Sequence, residues 1–203
     1  MPQIVVAGKL HPAGLALLGA AEGVTFDHIE EISEASHQPY LARADALVIR
    51  TQPLDAASIS RARELQIVSR HGVGYDAVDL MALNARRIPL CIVGDVNSVS
   101  VAEHAMMLFL ACAKRLIRAD ASTRQGPWGW RNRLKASEIS GKRLMILGYG
   151  RIGHHLARMA SGFGMEIHAH DPYLAAQGWP EGTVASAAAL ADGLAWARWR
   201  WRR

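Results

Sequence analysis

The amino-acid sequence predicts an α/β protein built on parallel sheets, and three observations lead there. Short apolar runs rich in β-branched residues lie at 4–7, 24–28, 46–49, 66–69 and 90–93. Between them, 12–20, 33–44, 55–62 and 78–86 show helical apolar spacing or open on residues that start helices. Glycine breaks such as Gly72-Val73-Gly74 and Gly94-Asp95 fall between these units rather than inside them. Strand then helix, repeated, builds a parallel sheet, whose strands are buried on both faces and so read as apolar runs.

Each element has a local reason. The strand at 4–7, Ile4-Val5-Val6-Ala7, has no polar residue for a solvated face. The helix at 12–20 opens on Pro12, whose fixed φ suits the first helical position. Ser33 and Asp55 open the next two helices with side-chain oxygens able to cap a first turn. Residues 1–96 therefore form a first domain. A long helix follows, and Ser100-Val101-Ala102-Glu103 fits a capping box that places its start. Residues 105–113 are apolar on every side, so this helix needs cover from a second domain or a second subunit. Lys114, Arg115 and Arg118 suit its C-terminal half, where the helix dipole favours cations. Residues 125–132, with Gly126-Pro127-Trp128-Gly129-Trp130, read as a loop into a new unit. That unit, 97–196, is the first part of a second domain, and 197–203 form an aberrant tail.

Composition narrows the class. A chain of 203 residues with 50% hydrophobic and 20% charged residues has the material for a core, which excludes disorder as its main state. The longest apolar run, 105–113, is half of what a membrane span needs, and no basic leader with an apolar stretch and cleavage site opens the chain. The expectation is a cytoplasmic protein with no membrane partner. Cys91 and Cys112 lie in apolar surroundings at no metal-ligand spacing and read as buried free thiols. Formal net charge is +5, but the last six residues, Arg198-Trp199-Arg200-Trp201-Arg202-Arg203, hold four arginines and leave about +1 for the rest. A nucleic-acid footprint would spread over a folded face, so nucleic acid is not the expected partner.

The strongest chemical signal is Gly148-Tyr149-Gly150-Arg151-Ile152-Gly153. A GxGxxG alone is weak, but this one follows an apolar strand at 143–147 and opens a helix at 151–161, with Ile152, Leu156, Met159 and Ala160 on one side. Gly148 would make the tight turn, Gly150 would let backbone amides approach a pyrophosphate, and Gly153 would let helix and strand pack closely. Asp171, 18 residues after Gly153 at the end of a second strand, stands where a carboxylate meets the adenosine ribose and favours NAD over NADP. The competing explanation is an unliganded glycine turn, with Asp171-Pro172 an ordinary turn starter. His154, His155, His168 and His170 lack a third ligand at a natural spacing, so no metal site is expected. His104 beside Glu103 is no acid/base pair, because adjacent helical residues do not face each other.

Four motifs in order, residues 69–79 (Ser69-Arg70-His71-Gly72-Val73-Gly74-Tyr75-Asp76-Ala77-Val78-Asp79), 97–104, 148–153 and 170–173, resemble the D-isomer-specific 2-hydroxyacid dehydrogenases over about residues 3–196. The resemblance implies a flavodoxin-like parallel-sheet substrate domain followed by a Rossmann NAD-binding domain, and hydride transfer between a 2-hydroxy acid and a 2-keto acid with NAD. It implies that the Val73 and Gly74 amides receive the substrate carboxylate, that Gly148, Gly150, Arg151, Ile152, Gly153 and Asp171 hold the cofactor, and that the helix after Ser100 forms a homodimer interface.

In that family the catalytic arginine, glutamate and histidine come from the later Rossmann domain, beyond its third strand, and no residue here matches them. The Rossmann part is therefore expected to be incomplete, with two strands and an exposed edge that invites aggregation. After Trp196 the alternating arginine and tryptophan match nothing in that fold, which suggests a shifted reading frame or a truncated gene. The chain is expected to be inactive or nearly so. His71 is the one candidate substitute and reads as a polar loop residue. The alternatives are a non-catalytic nucleotide-binding or dimerising remnant, or an anion-binding Arg/Trp tail.

Overall fold

A computed structural model describes residues 1–126, 128–133, 135–182 and 184–197, without the side chains of Trp128 and Arg131. The tail at 198–203 lies outside the described residues. The chain divides into two compact units, Met1–Asp95 and Val96–Arg203.

The first unit alternates β1 (Gln3–Ala7), α1 (Pro12–Ala20), β2 (Thr25–Ile29), α2 (Glu34–Leu41), β3 (Ala46–Ile49), α3 (Ala56–Arg61), β4 (Ile67–Arg70), α4 (Leu80–Ala85) and β5 (Leu90–Ile92). All five strands are parallel in the order β2-β1-β3-β4-β5, the flavodoxin-like order, with its switch point between β1 and β3. Val5, Val6 and Ala7 are buried in succession, as a strand covered on both faces requires. The core joins Val5 and Ala7 to Leu41, Leu47, Ile49, Leu54, Ile59, Val68 and Leu83. Caps fix the helix starts: Ser33 Oγ accepts from Ser36 N–H at 3.1 Å, Asp55 Oδ1 from Ser58 N–H at 2.7 Å and Asp79 Oδ1 from Ala82 N–H at 3.0 Å. The Arg86 guanidinium closes the other end of α3, donating to the carbonyls of Ile59, Ala62 and Arg63. α2 ends at Leu41, short of the expected 44, soon after Pro39.

The second unit holds α5 (Ser98–Lys114), α6 (Leu116–Gln125), a 3₁₀ helix (Trp128–Arg133), β6 (Arg143–Leu147), α7 (Arg151–Gly162), β7 (Glu166–His170), α8 (Pro172–Gln177), β8 (Ala185–Ser186) and α9 (Leu190–Trp196). Its parallel sheet runs β6-β7-β8, so three strands stand where two were expected. β6 pairs with β7 and is otherwise open among the described residues. α5 packs on α7 through Met106, Phe109, Leu110, Ala113 and Ala160.

Several sequence expectations need correction here. The capping box does not form: the N-cap is Asn97, three residues before Ser100, and Val101 N–H already bonds to Asn97 O, so Ser100 and Glu103 sit inside the first turns with no end to cap. The helix stops at Lys114, because Arg115 takes a left-handed φ of +55° and starts α6; Arg118 therefore belongs to a second helix. The segment read as a loop at 125–132 is mostly a 3₁₀ turn. Both cysteines are exposed. Cys91 lies on the edge strand β5 and Cys112 on the outward face of α5, positions that apolar neighbours in sequence do not reveal.

Candidate functional site

In the second unit, β6 runs into the glycine turn and then α7. Gly148 has φ +88°, a conformation that disfavours any side chain, and its N–H bonds to His170 O at 2.9 Å. A Cβ on Gly153 would stand 2.4 Å from Gly148 O, so this glycine is required by helix–strand contact. Gly150 differs: a Cβ there would meet nothing within 4 Å, and the position is open. Gly150 is the N-cap of α7 and no side chain caps the helix, which leaves the first-turn N–H groups directed out of the turn, with Arg151 and Ile152 exposed beside them. Such a terminus carries partial positive charge and suits an anion.

Asp171 is drawn into this turn. One carboxylate oxygen accepts from Tyr173 and Leu174 N–H at 3.0 and 3.1 Å, capping α8. The other accepts from Tyr149 N–H at 2.9 Å, tying the end of β7 to the glycine turn. These backbone donors, Leu174 and Tyr149 foremost, hold the Asp171 carboxyl below the usual carboxylate range. Asp171 is therefore an ionised helix cap and a brace of the glycine turn at once. The Tyr149 ring turns inward, 4% exposed, and stacks on His154 at 3.9 Å and Trp179 at 5.4 Å. The Tyr149 backbone bond and this ring stack were not anticipated from the sequence.

The histidines take structural places. His154 pairs Nδ1 with Gly150 O at 2.9 Å, His170 pairs Nδ1 with Ala187 O at 2.9 Å, and His168 stacks on Trp196 at 3.6 Å. Among the described residues no group of three or more His, Cys, Asp or Glu side chains gathers to hold a metal.

In the first unit, Gly72, Val73 and Gly74 follow β4 at the carboxyl edge of the sheet. Gly72 has φ +153° and bonds its carbonyl to Val93 N–H at 3.1 Å; His71 N–H bonds to Ile49 O at 2.8 Å. The loop is pinned on both sides, yet the Val73 and Gly74 N–H groups make no hydrogen bond among the described residues. Two donors on a fixed turn suit a carboxylate. Arg50, just after β3, and Arg70, the last residue of β4, add positive charge here, a contribution the sequence reading missed because they belong to different strands. Partial burial first, then these two cations, push the His71 pKa down, so its imidazole is neutral near pH 7.

The family model described as "D-isomer specific 2-hydroxyacid dehydrogenase, catalytic domain" matches residues 4–195. The chain belongs to this family. The D-3-phosphoglycerate dehydrogenase of Methanocaldococcus jannaschii is 36% identical over 178 residues, covering 86% of this chain and 33% of that protein. A solved structure from Thermus thermophilus superposes with a TM-score of 0.85 at 26% identity, covering 96% of this chain and 62% of its own. The NADPH-dependent glyoxylate/hydroxypyruvate reductase of Sinorhizobium meliloti, solved with citrate, superposes at 0.76 with 28% identity over 95% of this chain and 60% of that one. The chain thus spans about a third of the curated relatives it matches first. As a family member it is of oxidoreductase lineage, and no helix among the described residues is long and apolar enough to cross a membrane.

Proposed function

We propose that this chain is the substrate-carboxylate and adenosine–pyrophosphate portion of an NAD-dependent oxidoreductase that interconverts a 2-hydroxy acid and a 2-keto acid. The observation that carries the reading is the uncapped start of α7 behind the open Gly150, braced by the Asp171 carboxylate. When bound, NAD supplies the hydride acceptor. The chain's own residues orient: α7 holds the pyrophosphate by its first-turn amides, and Asp171 offers its ionised carboxylate to the ribose hydroxyls while repelling a 2′-phosphate. Val73 and Gly74 N–H groups fix the substrate carboxylate, with Arg50 and Arg70 raising the local positive potential.

No residue here takes the roles of the family's catalytic arginine, glutamate and histidine, and a His71 held neutral is not in the imidazolium form that serves as a general acid near pH 7. The chain alone is then inactive or nearly so. The second reading, a dimerising remnant, draws on α5, whose Val99, Val101, Met107 and Leu108 remain exposed beside its packed face.

Calorimetry with NADH and ADP-ribose tests the proposal. Millimolar or poorer affinity, roughly 4 kcal/mol or less, is expected for both, nearly equal because neither meets a nicotinamide pocket. Asp171→Ala should weaken both and relax discrimination against NADP. Micromolar NADH binding with a large preference over ADP-ribose, or robust turnover of 2-keto acids, would overturn the assignment of a half site.

A further inference from the structure

The chain's positive charge has a second centre, on folded elements rather than in the tail. Between positions 114 and 133, Lys114, Arg115, Arg118, Arg124, Arg131 and Arg133 are accompanied by a single acid, Asp120. α6 and the 3₁₀ helix bring two of these cations onto one indole: Arg118 Cζ lies 5.0 Å from the Trp130 ring centroid and Arg133 Cζ 5.7 Å. Arg124 is neutralised by Asp120 at 2.9 Å, whereas Arg118 and Arg133 have no carboxylate partner among the described residues. A concavity of about 450 Å³ opens beside them, lined also by Ser122 and Gln125 and by no acidic residue.

Two guanidiniums held near one ring concentrate positive charge on one side of the concavity. Contact with the ring leaves guanidinium N–H donors free, and a guanidinium presents them as a rigid fork matched to phosphate or carboxylate oxygens. Gln125 adds an amide to the same wall. We propose that this concavity binds a small molecule carrying a phosphate ester, with the phosphate seated between Arg118 and Arg133. Its volume is that of a small-molecule site, and its concave form distinguishes it from the extended basic stripe a polynucleotide needs. It shares no residue with the glycine turn or the Gly72–Gly74 loop, so it stands whether or not the oxidoreductase reading does.

The test is a titration of the ¹⁵N-labelled full chain with inorganic phosphate, and separately with glycerol 3-phosphate, at low ionic strength. The Trp130 indole N–H resonance should shift with an apparent Kd of about 1 mM or tighter. Arg118→Gln and Arg133→Gln should each weaken binding roughly tenfold, the loss of one charged bidentate contact. Arg118→Lys should restore part of it, and Arg124→Gln, which breaks the Asp120 pair outside the concavity, should not weaken it. Folding of each variant is read from the same spectrum. Shifts confined to the 148–153 amides would place the phosphate at α7 and overturn the proposal. So would no shift at tens of millimolar, or a single-stranded oligonucleotide that binds with Trp130 unmoved and without sensitivity to Arg118→Gln.

Discussion

Gly74 and Gly153 are both glycines of candidate binding loops, yet different things restrain them. A Cβ at Gly153 would collide with backbone of its own chain, whereas one at Gly74 would only touch Asp76 Oδ2 at 3.5 Å, an ordinary contact. The fold therefore tolerates a methyl at Gly74, so a loss of binding there would report the proposed carboxylate contact rather than misfolding. Gly74→Ala should leave the melting temperature unchanged or slightly raised, since alanine restricts the unfolded chain, while abolishing 2-keto acid binding measured by NMR. Retained binding would remove Gly74 from the site. His37 carries a different prediction. It is fully buried, with Nδ1 at 3.3 Å from Ser33 O and Nε2 without a hydrogen-bond partner among the described residues, and burial pushes its pKa below 6.5 against weaker opposing effects of the Ser33 carbonyl and Glu34. In the unfolded chain this histidine takes up a proton near pH 6.5; in the folded chain it does so at lower pH. Stability contributed by the neutral ring is thus fully present above about pH 6.5 and falls as the pH drops through that value. Denaturant titrations between pH 7.5 and 5.5 should show a shallower fall for His37→Gln than for the parent, and parallel profiles would refute the assignment. The glycine pattern was legible in sequence because strand, turn and helix are contiguous there. The bond from Asp171 to Tyr149 was not, because it depends on how two strands align in register.

Helices were legible where a cap or proline marked them and misread where apolar content alone did. The Ser33 and Asp55 caps do what side-chain oxygens do at helix starts, and Pro12 opens α1, whereas α4, expected from 78, starts at Leu80 behind an Asp79 cap that the apolar pattern did not mark. α5 began earlier than its capping-box sequence suggested and ended at the left-handed Arg115, a conformation nothing in arginine's chemistry announces. Its apolar run looked uniformly buried, yet Leu108 is 50% and Met107 49% exposed. That changes the consequence of a charge there. An aspartate at a fully buried site would cost several kcal/mol and unfold the unit; at half-exposed Leu108 the chain can solvate it. Leu108→Asp should therefore yield a folded monomer by circular dichroism and light scattering if the outward face of α5 joins two copies. A dimer of unchanged mass would exclude that face.

At the scale of the whole molecule, two parallel sheets of different extent share one chain. The five-stranded sheet of the first unit followed from the alternation of apolar runs with capped helices. The third strand of the other, Ala185–Ser186, is too short to make a hydrophobic run and is held by pairing with His168 and Ala169, a long-range contact invisible in local pattern. The open side of β6 has a consequence on the scale of minutes to hours. Glu166 N–H bonds to Lys142 O and Gly148 N–H to His170 O, so the even-numbered backbone groups around β6 face β7 and, by the alternation of a strand, Arg143, Met145 and Leu147 direct theirs to the open side. Deuterium should enter these three amides rapidly while Leu144 and Ile146 stay protected, giving β6 a two-residue rhythm of exchange that a strand paired on both sides cannot show.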